Sequence, residues 1–235
     1  MVVIASKFDY SAKYMEASDW LDRWEQNRIG FHQPSVSAYL QQYLPEIDLK
    51  PGATIFLPLC GKAHDIAWIA LQGYQVVGVE LSGIAVKAFF SEQGLSRQQS
   101  ESGRFLLSKN GAISIYQGDY FDFPEEVLTE CKLVYDRASL IAFAQSDRAR
   151  YCEYMRSIIP PQTEILLITL DYDQTQMEGP PFAVPRNEVE ELYQSHYQIE
   201  VLVQNDVLDE RPRWRDQGLS ALTETVFRLK PMVSR

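Results

Sequence analysis

Residues 53–82, ATIFLPLCGKAHDIAWIALQGYQVVGVELS, decide how this 235-residue chain is read. An apolar run, Thr54–Leu59, breaks at Pro58-Leu59-Cys60-Gly61-Lys62. Ala63–Leu71 has a helical pattern stopped by Gly73, and a second apolar run, Gln75–Glu80, ends on an acid. Ser82 is placed to cap the next helix, through Glu92, which Gly94 stops. Apolar runs this continuous suit strands buried on both faces, and a helix between two of them makes a βαβ unit. In such a sheet ligands sit beyond the carboxyl ends of the strands. The loop there has one glycine, Gly61, where a pyrophosphate cradle uses several, so a dinucleotide fits poorly. A helix beginning near Ala63 still presents backbone N–H groups to a carboxylate. Glu80 follows Gly61 by 19 residues, close to the spacing of about 20 at which an acid binds ribose hydroxyls. The same acid could equally be a solvated strand end.

Working outward, the alternation continues. Arg104–Ser108 and Ala112–Gln117 form a hairpin-like pair turning at Asn110-Gly111. Lys132–Asp136 is a short buried strand; Ser146 or Asp147 starts a helix through Ile158, broken by Pro160-Pro161. Glu164–Leu170 is a strand, Asn187–Ser195 a short helix, and Tyr197–Gln204 and Thr223–Leu229 alternate as strands with no helical pattern between them. Upstream, Asp19 could cap a helix starting at Trp20 and running toward Gly30, Pro34 could open another through Tyr43, and Pro51-Gly52 is a turn. The expected fold is α/β: a doubly wound, Rossmann-like, mostly parallel sheet closed by an antiparallel C-terminal pair. By fold-level analogy that is the methyltransferase variant of the plan. Residues 1–235 are expected to form one domain, with 1–17 a mobile leader and 18–45 a helical lid.

Composition excludes several classes. A hydrophobic share of 46% and a charged share of 23% are ordinary for a globular chain. The net charge of -10 is spread along the sequence, which argues against a nucleic-acid partner. The cysteines, Cys60, Cys131 and Cys152, have no metal-ligand spacing, and their odd number suits a reducing cytoplasm. His32, His64 and His196 lie in separate segments and form no zinc pattern. No secretory leader or membrane span is evident, so a cytoplasmic location is expected.

Each remaining candidate has two readings. Asp119 and Tyr120, after the Ile113–Gln117 strand, could contact and pack an adenine, or be a turn aspartate over a core aromatic. Asp136-Arg137 is a surface ion pair or, in a cleft, a guanidinium that engages a substrate. Trp20, Trp24 and Phe31 are a helix's core face or a lid over a flat ligand. Cys60 could be a nucleophile, but no histidine and acid complete a set around it.

Four segments then become recognisable together: WLDRWEQNRIGFHQP, FLPLCGKAHDIAWIALQGYQVVGVELS, YDRASLIA and GPPFAVP. In this order they resemble the thiopurine S-methyltransferase family, its bacterial branch most of all, from Trp20 to the C-terminus. The resemblance implies a class I fold, S-adenosylmethionine as cofactor and S-adenosylhomocysteine as product. It implies cofactor contacts at Trp20, Trp24, Leu59, Gly61, Glu80, Asp119, Tyr120 and Arg137. Acceptor contacts are implied at Phe31, Phe182 and Arg211, with Pro181 in the same border. Arg137 would be the catalytic group, favouring a thiolate. The implied acceptor is an aromatic or heterocyclic thiol such as a thiopurine, or alternatively a selenium or tellurium compound or small thiol in detoxification. A monomer is expected. The competing classes are a nicotinamide-dependent oxidoreductase, a non-catalytic cofactor-binding module and a thiol enzyme using Cys60.

Overall fold

The computed structural model describes residues 17–232. All but the last residue of the leader expected over 1–17 therefore lies outside the described residues. The helices are α1 (Ala17–Glu25), α2 (Ala38–Tyr43), α3 (His64–Leu71), α4 (Gly83–Glu92), α5 (Gln145–Ile158), α6 (Arg186–Tyr193) and α7 (Pro212–Asp216). The strands are β1 (Thr54–Leu57), β2 (Gln75–Glu80), β3 (Gln98–Ser102), β4 (Phe105–Asn110), β5 (Ile113–Gln117), β6 (Cys131–Arg137), β7 (Glu164–Asp171), β8 (Tyr197–Asp206) and β9 (Thr223–Pro231).

The nine strands form one sheet in the order β3-β4-β5-β2-β1-β6-β7-β9-β8. The five from β5 to β7 run parallel, with Phe56 of β1 paired to Val77 of β2 and to Val134 of β6. β9 pairs antiparallel to β7 and β8 to β9, the expected C-terminal closure. Side chains alternate across the pleat. Phe56, Val134, Ile165 and Leu167 point into one core with Tyr151, Cys152 and Met155 of α5. Ile55, Leu57, Leu166 and Ile168 point into the other, with Ile66 and Ile69 of α3 and Phe89 and Phe90 of α4. Both faces are covered, as a parallel sheet requires. No helix among the described residues is long and apolar enough to cross a membrane.

The helix from Ser82 and strand β2 fall where expected: the Ser82 hydroxyl accepts from the Ala85 N–H at 3.3 Å. Other boundaries differ. Asp19 lies within α1, and the chain leaves that helix at Asn27, whose φ of 52° closes it before Gly30. Pro34 opens no helix. Ser37 is the N-cap of α2, and its own N–H donates to Asp65 at 2.7 Å, so tertiary contact rather than proline sets the start. β3 and α7 were not expected. β3, QQSES, is an exposed edge strand paired only with β4, so it shows no apolar period.

Candidate active site

The chain passes from β1 to β2 on one side and later crosses back to β6 on the other, so β1 and β6 flank the topological switch point. A cavity of about 1020 Å³ opens at their carboxyl ends. Its floor is made of turns that leave the strands abruptly. Leu59 has φ 44°, Gly61 φ 54° and Ala138 φ 68°. The left-handed region costs Leu59 and Ala138 on the order of 1 kcal/mol each. Hydrogen bonds hold the turns there: the Cys60 N–H donates to the Val79 carbonyl at 3.0 Å, and the Ser139 hydroxyl to the Pro58 carbonyl at 2.8 Å. At Gly61 a Cβ would come within 3.4 Å of the Trp24 indole, so glycine keeps open the space between loop and indole.

Glu80 stands at the end of β2, 6% exposed. Its Oε2 accepts from the Gly61 N–H at 2.8 Å and its Oε1 from the Ser82 N–H at 2.7 Å. Burial raises its pKa to about 7, against the pull of these N–H donors. Each oxygen keeps lone-pair capacity toward the cavity for a second donor. Burial, reinforced by Glu80, also pushes the Cys60 thiol well up. A protonated, enclosed thiol is a poor nucleophile, which counts against a thiol enzyme.

Aromatic residues cover this floor. Trp20 and Trp24, one helical turn apart on α1, meet Phe31 edge-to-face with centroids 5.8 and 5.6 Å away. Arg23 lies over the Trp20 ring. His32 stands beside His64, and burial, then Lys62, lowers its pKa.

The cavity lining also carries charge. Arg137, at the end of β6, donates through Nε to Asp65 Oδ2 at 2.9 Å. Asp65 is wholly buried at the start of α3 and also accepts from the Ser37 N–H at 2.7 Å and from the Tyr135 hydroxyl at 3.5 Å. Arg137 is thus neither a surface ion pair nor a bare cation; its Nε is fixed, and the residue lines the cavity. Arg211 Nη2 lies 4.0 Å from Glu224 Oε1.

Trp20, Trp24, Phe31, Leu59, Gly61, Glu80, Arg137, Pro181 and Arg211 all line this one cavity. Three expected residues do not. Tyr120 is buried against Tyr151 and Tyr154 and donates its hydroxyl to the Tyr151 carbonyl at 3.3 Å. The Asp119 carboxylate is turned to the Phe121 N–H at 2.9 Å. These contacts match the turn-and-core reading of both residues, because β5 gives way directly to a 3-10 turn whose first side chain packs inward. Phe182 donates its N–H to the Ile141 carbonyl at 2.7 Å, and its ring sits so near Gly179 that a Cβ there would be 2.6 Å from it. Phe182 therefore backs the Gly179–Pro181 wall instead of facing the cavity. The sequence reading missed Asp65 and Glu224. Asp65 was visible only as an acid in the first turn of α3.

A strained turn at the switch point, a buried acid one strand over and an aromatic cover define the site of a class I methyltransferase, a class whose members take the methyl group from S-adenosylmethionine. Solved structures share the fold. A Haemonchus contortus phosphoethanolamine N-methyltransferase 2 in complex with phosphomonomethylethanolamine and S-adenosylhomocysteine superposes with a TM-score of 0.64 at 13% identity, over 92% of this chain and 60% of that one. A Burkholderia thailandensis 1,6-didemethyltoxoflavin-N1-methyltransferase with S-adenosylhomocysteine gives 0.59 at 14% identity, over 91% and 87%. The family is narrower: the thiopurine S-methyltransferase model matches residues 15–232. A thiopurine S-methyltransferase of Nitrosospira multiformis is 44% identical over 215 residues, covering 92% of this chain and 98% of that protein. The chain belongs to the thiopurine S-methyltransferase family.

Proposed function

We propose that the chain moves a methyl group from S-adenosylmethionine to the sulfur of an aromatic or heterocyclic thiol, such as a thiopurine. One observation carries this reading: a single cavity brings Gly61 and Glu80 together with the guanidinium-bearing residues Arg137 and Arg211. A volume of about 1020 Å³ is at the upper limit for one small ligand and suits a donor and an acceptor together.

The residues fit the donor. The open turn at Gly61 admits backbone approach, Leu59 lines the methionine part, and the Glu80 oxygens accept from ribose hydroxyls. Trp20 and Trp24 cover it, as part of the lid. Bound there, S-adenosylmethionine supplies a methyl group already activated by its sulfonium. The protein's task is then alignment and exclusion of water. Arg137 and Arg211 lower the free energy of a thiolate, and Phe31 packs on its ring. The reading leaves Asp119, Tyr120 and Phe182 outside the direct contacts.

Titration calorimetry with S-adenosylmethionine, S-adenosylhomocysteine and NADH tests the donor end. One-to-one binding of the first two and none of NADH is expected; the reverse overturns the assignment. Turnover with a thiopurine, a thiophenol and selenite then tests the acceptor. Methylation of selenite alone would replace sulfur by selenium in the reading.

A further inference from the structure

The cavity holds a carboxylate that the reading above leaves without a task. Glu224, on β9, lines the cavity with its side chain 13% exposed. Its surroundings come from three elements. Arg211, ahead of α7, holds Nη2 at 4.0 Å, the outer limit of an ion pair, and Glu210 lies next to it. The positive charge of Arg137, on β6, also acts on it. From α2 comes the Tyr39 hydroxyl, which accepts from Asn205 Nδ2 of β8 at 3.1 Å, leaving its own proton for Glu224.

Asp65 and Glu224 are not equivalent. Asp65 is committed to the Ser37 N–H, the Arg137 Nε and the Tyr135 hydroxyl, which fixes it as a support. Glu224 has a loose cation, a hydroxyl and open cavity in front of it. Burial holds its carboxyl above the usual carboxylate range, with Arg211 and Arg137 pulling the other way. It is a better proton acceptor than a surface glutamate while remaining in reach of a ligand.

Heterocyclic thiols pose a need that thiophenols do not. Their stable form is the thione, with the mobile proton on a ring nitrogen next to C=S. A thiophenol carries its proton on sulfur and loses it readily near neutral pH. We infer that Glu224 accepts the ring N–H proton of a heterocyclic thione held between Arg137 and Arg211. The inference rests on the sulfur-acceptor reading above and narrows it to cyclic thioamides. The balance closes. A sulfur electron pair forms the new S–CH3 bond as C=S becomes C–S, its π pair moving to the acceptor sulfur, and the donor's methyl–sulfonium bond breaks with its pair left on the donor sulfur. The N–H pair becomes ring C=N, and the proton goes to the Glu224 carboxylate.

Glu224→Gln keeps the shape and the ability to accept a hydrogen bond but cannot take the proton. Two readouts test the role, with 6-mercaptopurine and thiophenol as the probes. In ultraviolet difference titrations with 6-mercaptopurine and no methyl donor, the wild-type chain is expected to shift the bound spectrum toward the deprotonated form. The variant is expected to leave it as the thione. In turnover, the ratio of kcat/KM for 6-mercaptopurine to that for thiophenol is expected to fall about tenfold or more in the variant. Unchanged S-adenosylhomocysteine affinity in the variant verifies its fold. Wild-type turnover of both acceptors with neither spectrum nor ratio altered by the substitution overturns the role of Glu224 alone. A wild-type chain that binds S-adenosylmethionine yet methylates neither acceptor overturns the sulfur reading and this inference with it.

Discussion

Glu80 shows how one side chain couples the site to pH. Its folded pKa, about 7, lies above the ordinary 4.5 because burial disfavours its charge. A raised carboxyl contributes stability that is fully present below the unfolded pKa and is lost as pH rises through 7, so ionised Glu80 costs the free protein stability above neutrality. Ribose hydroxyls donate best to the ionised form. Binding of S-adenosylhomocysteine is therefore expected to tighten from pH 6 to pH 8 and to release protons at the lower end. Calorimetry in buffers of different ionisation enthalpy counts them. Glu80→Gln is expected to weaken binding about 10- to 100-fold and to flatten this pH dependence. A variant that retains the slope places the titrating group elsewhere. The placement of Glu80 and Gly61 at one cavity was legible in the sequence, because it follows from local spacing within the βαβ unit. Asp65 was not: its partner Arg137 is 72 residues away, and nothing local marks an acid in a first helical turn as the support of a distant guanidinium. The packing of the Tyr120 ring on Tyr151 and Tyr154 was equally hidden, because those partners lie on a helix distant in sequence.

At the scale of elements, legibility followed burial. β1, β2, β6 and β7 are enclosed on both faces, so the need to exclude water is written into continuous apolar runs. β3 is solvated and is held by backbone pairing to β4, an interaction any sequence can make. The helices of the α5 side have a further constraint. Arg148 on α5 is buried, donates through Nη1 to both oxygens of Glu188 on α6 at 2.7 Å, and through Nε to the Phe143 carbonyl at 3.0 Å. Glu188→Ala strands that guanidinium without its counter-charge and is expected to cost about 3–5 kcal/mol in chemical denaturation. Replacing both partners, Arg148→Met with Glu188→Leu, is expected to recover most of the loss. If the double variant is no better than the single one, the pair is a net source of stability and the desolvation argument fails.

Across the whole molecule, the site is assembled from segments far apart in sequence, from residue 20 to residue 224. α1 and the turn after it lie over the β1 and β2 loops, against α4. On the other side Gly30 approaches Arg213 so closely that a Cβ would stand 2.9 Å from its guanidinium. Such a cover is expected to respond as one unit when a ligand enters, because Trp20, Trp24 and Phe31 make one cluster. The chain's four tryptophans report on this. Trp20, Trp24 and Trp214 line the cavity, whereas Trp68 lies on α3 outside its lining. S-adenosylhomocysteine is expected to change the intrinsic fluorescence saturably, with the same affinity that calorimetry gives. Trp68→Phe is expected to keep the change; Trp24→Phe is expected to lose most of it and to weaken binding, since the indole also packs over Gly61. A response that survives Trp24→Phe but disappears with Trp68→Phe would mean that the ligand acts on the α3 side and that residues 18–45 are a fixed wall rather than a lid.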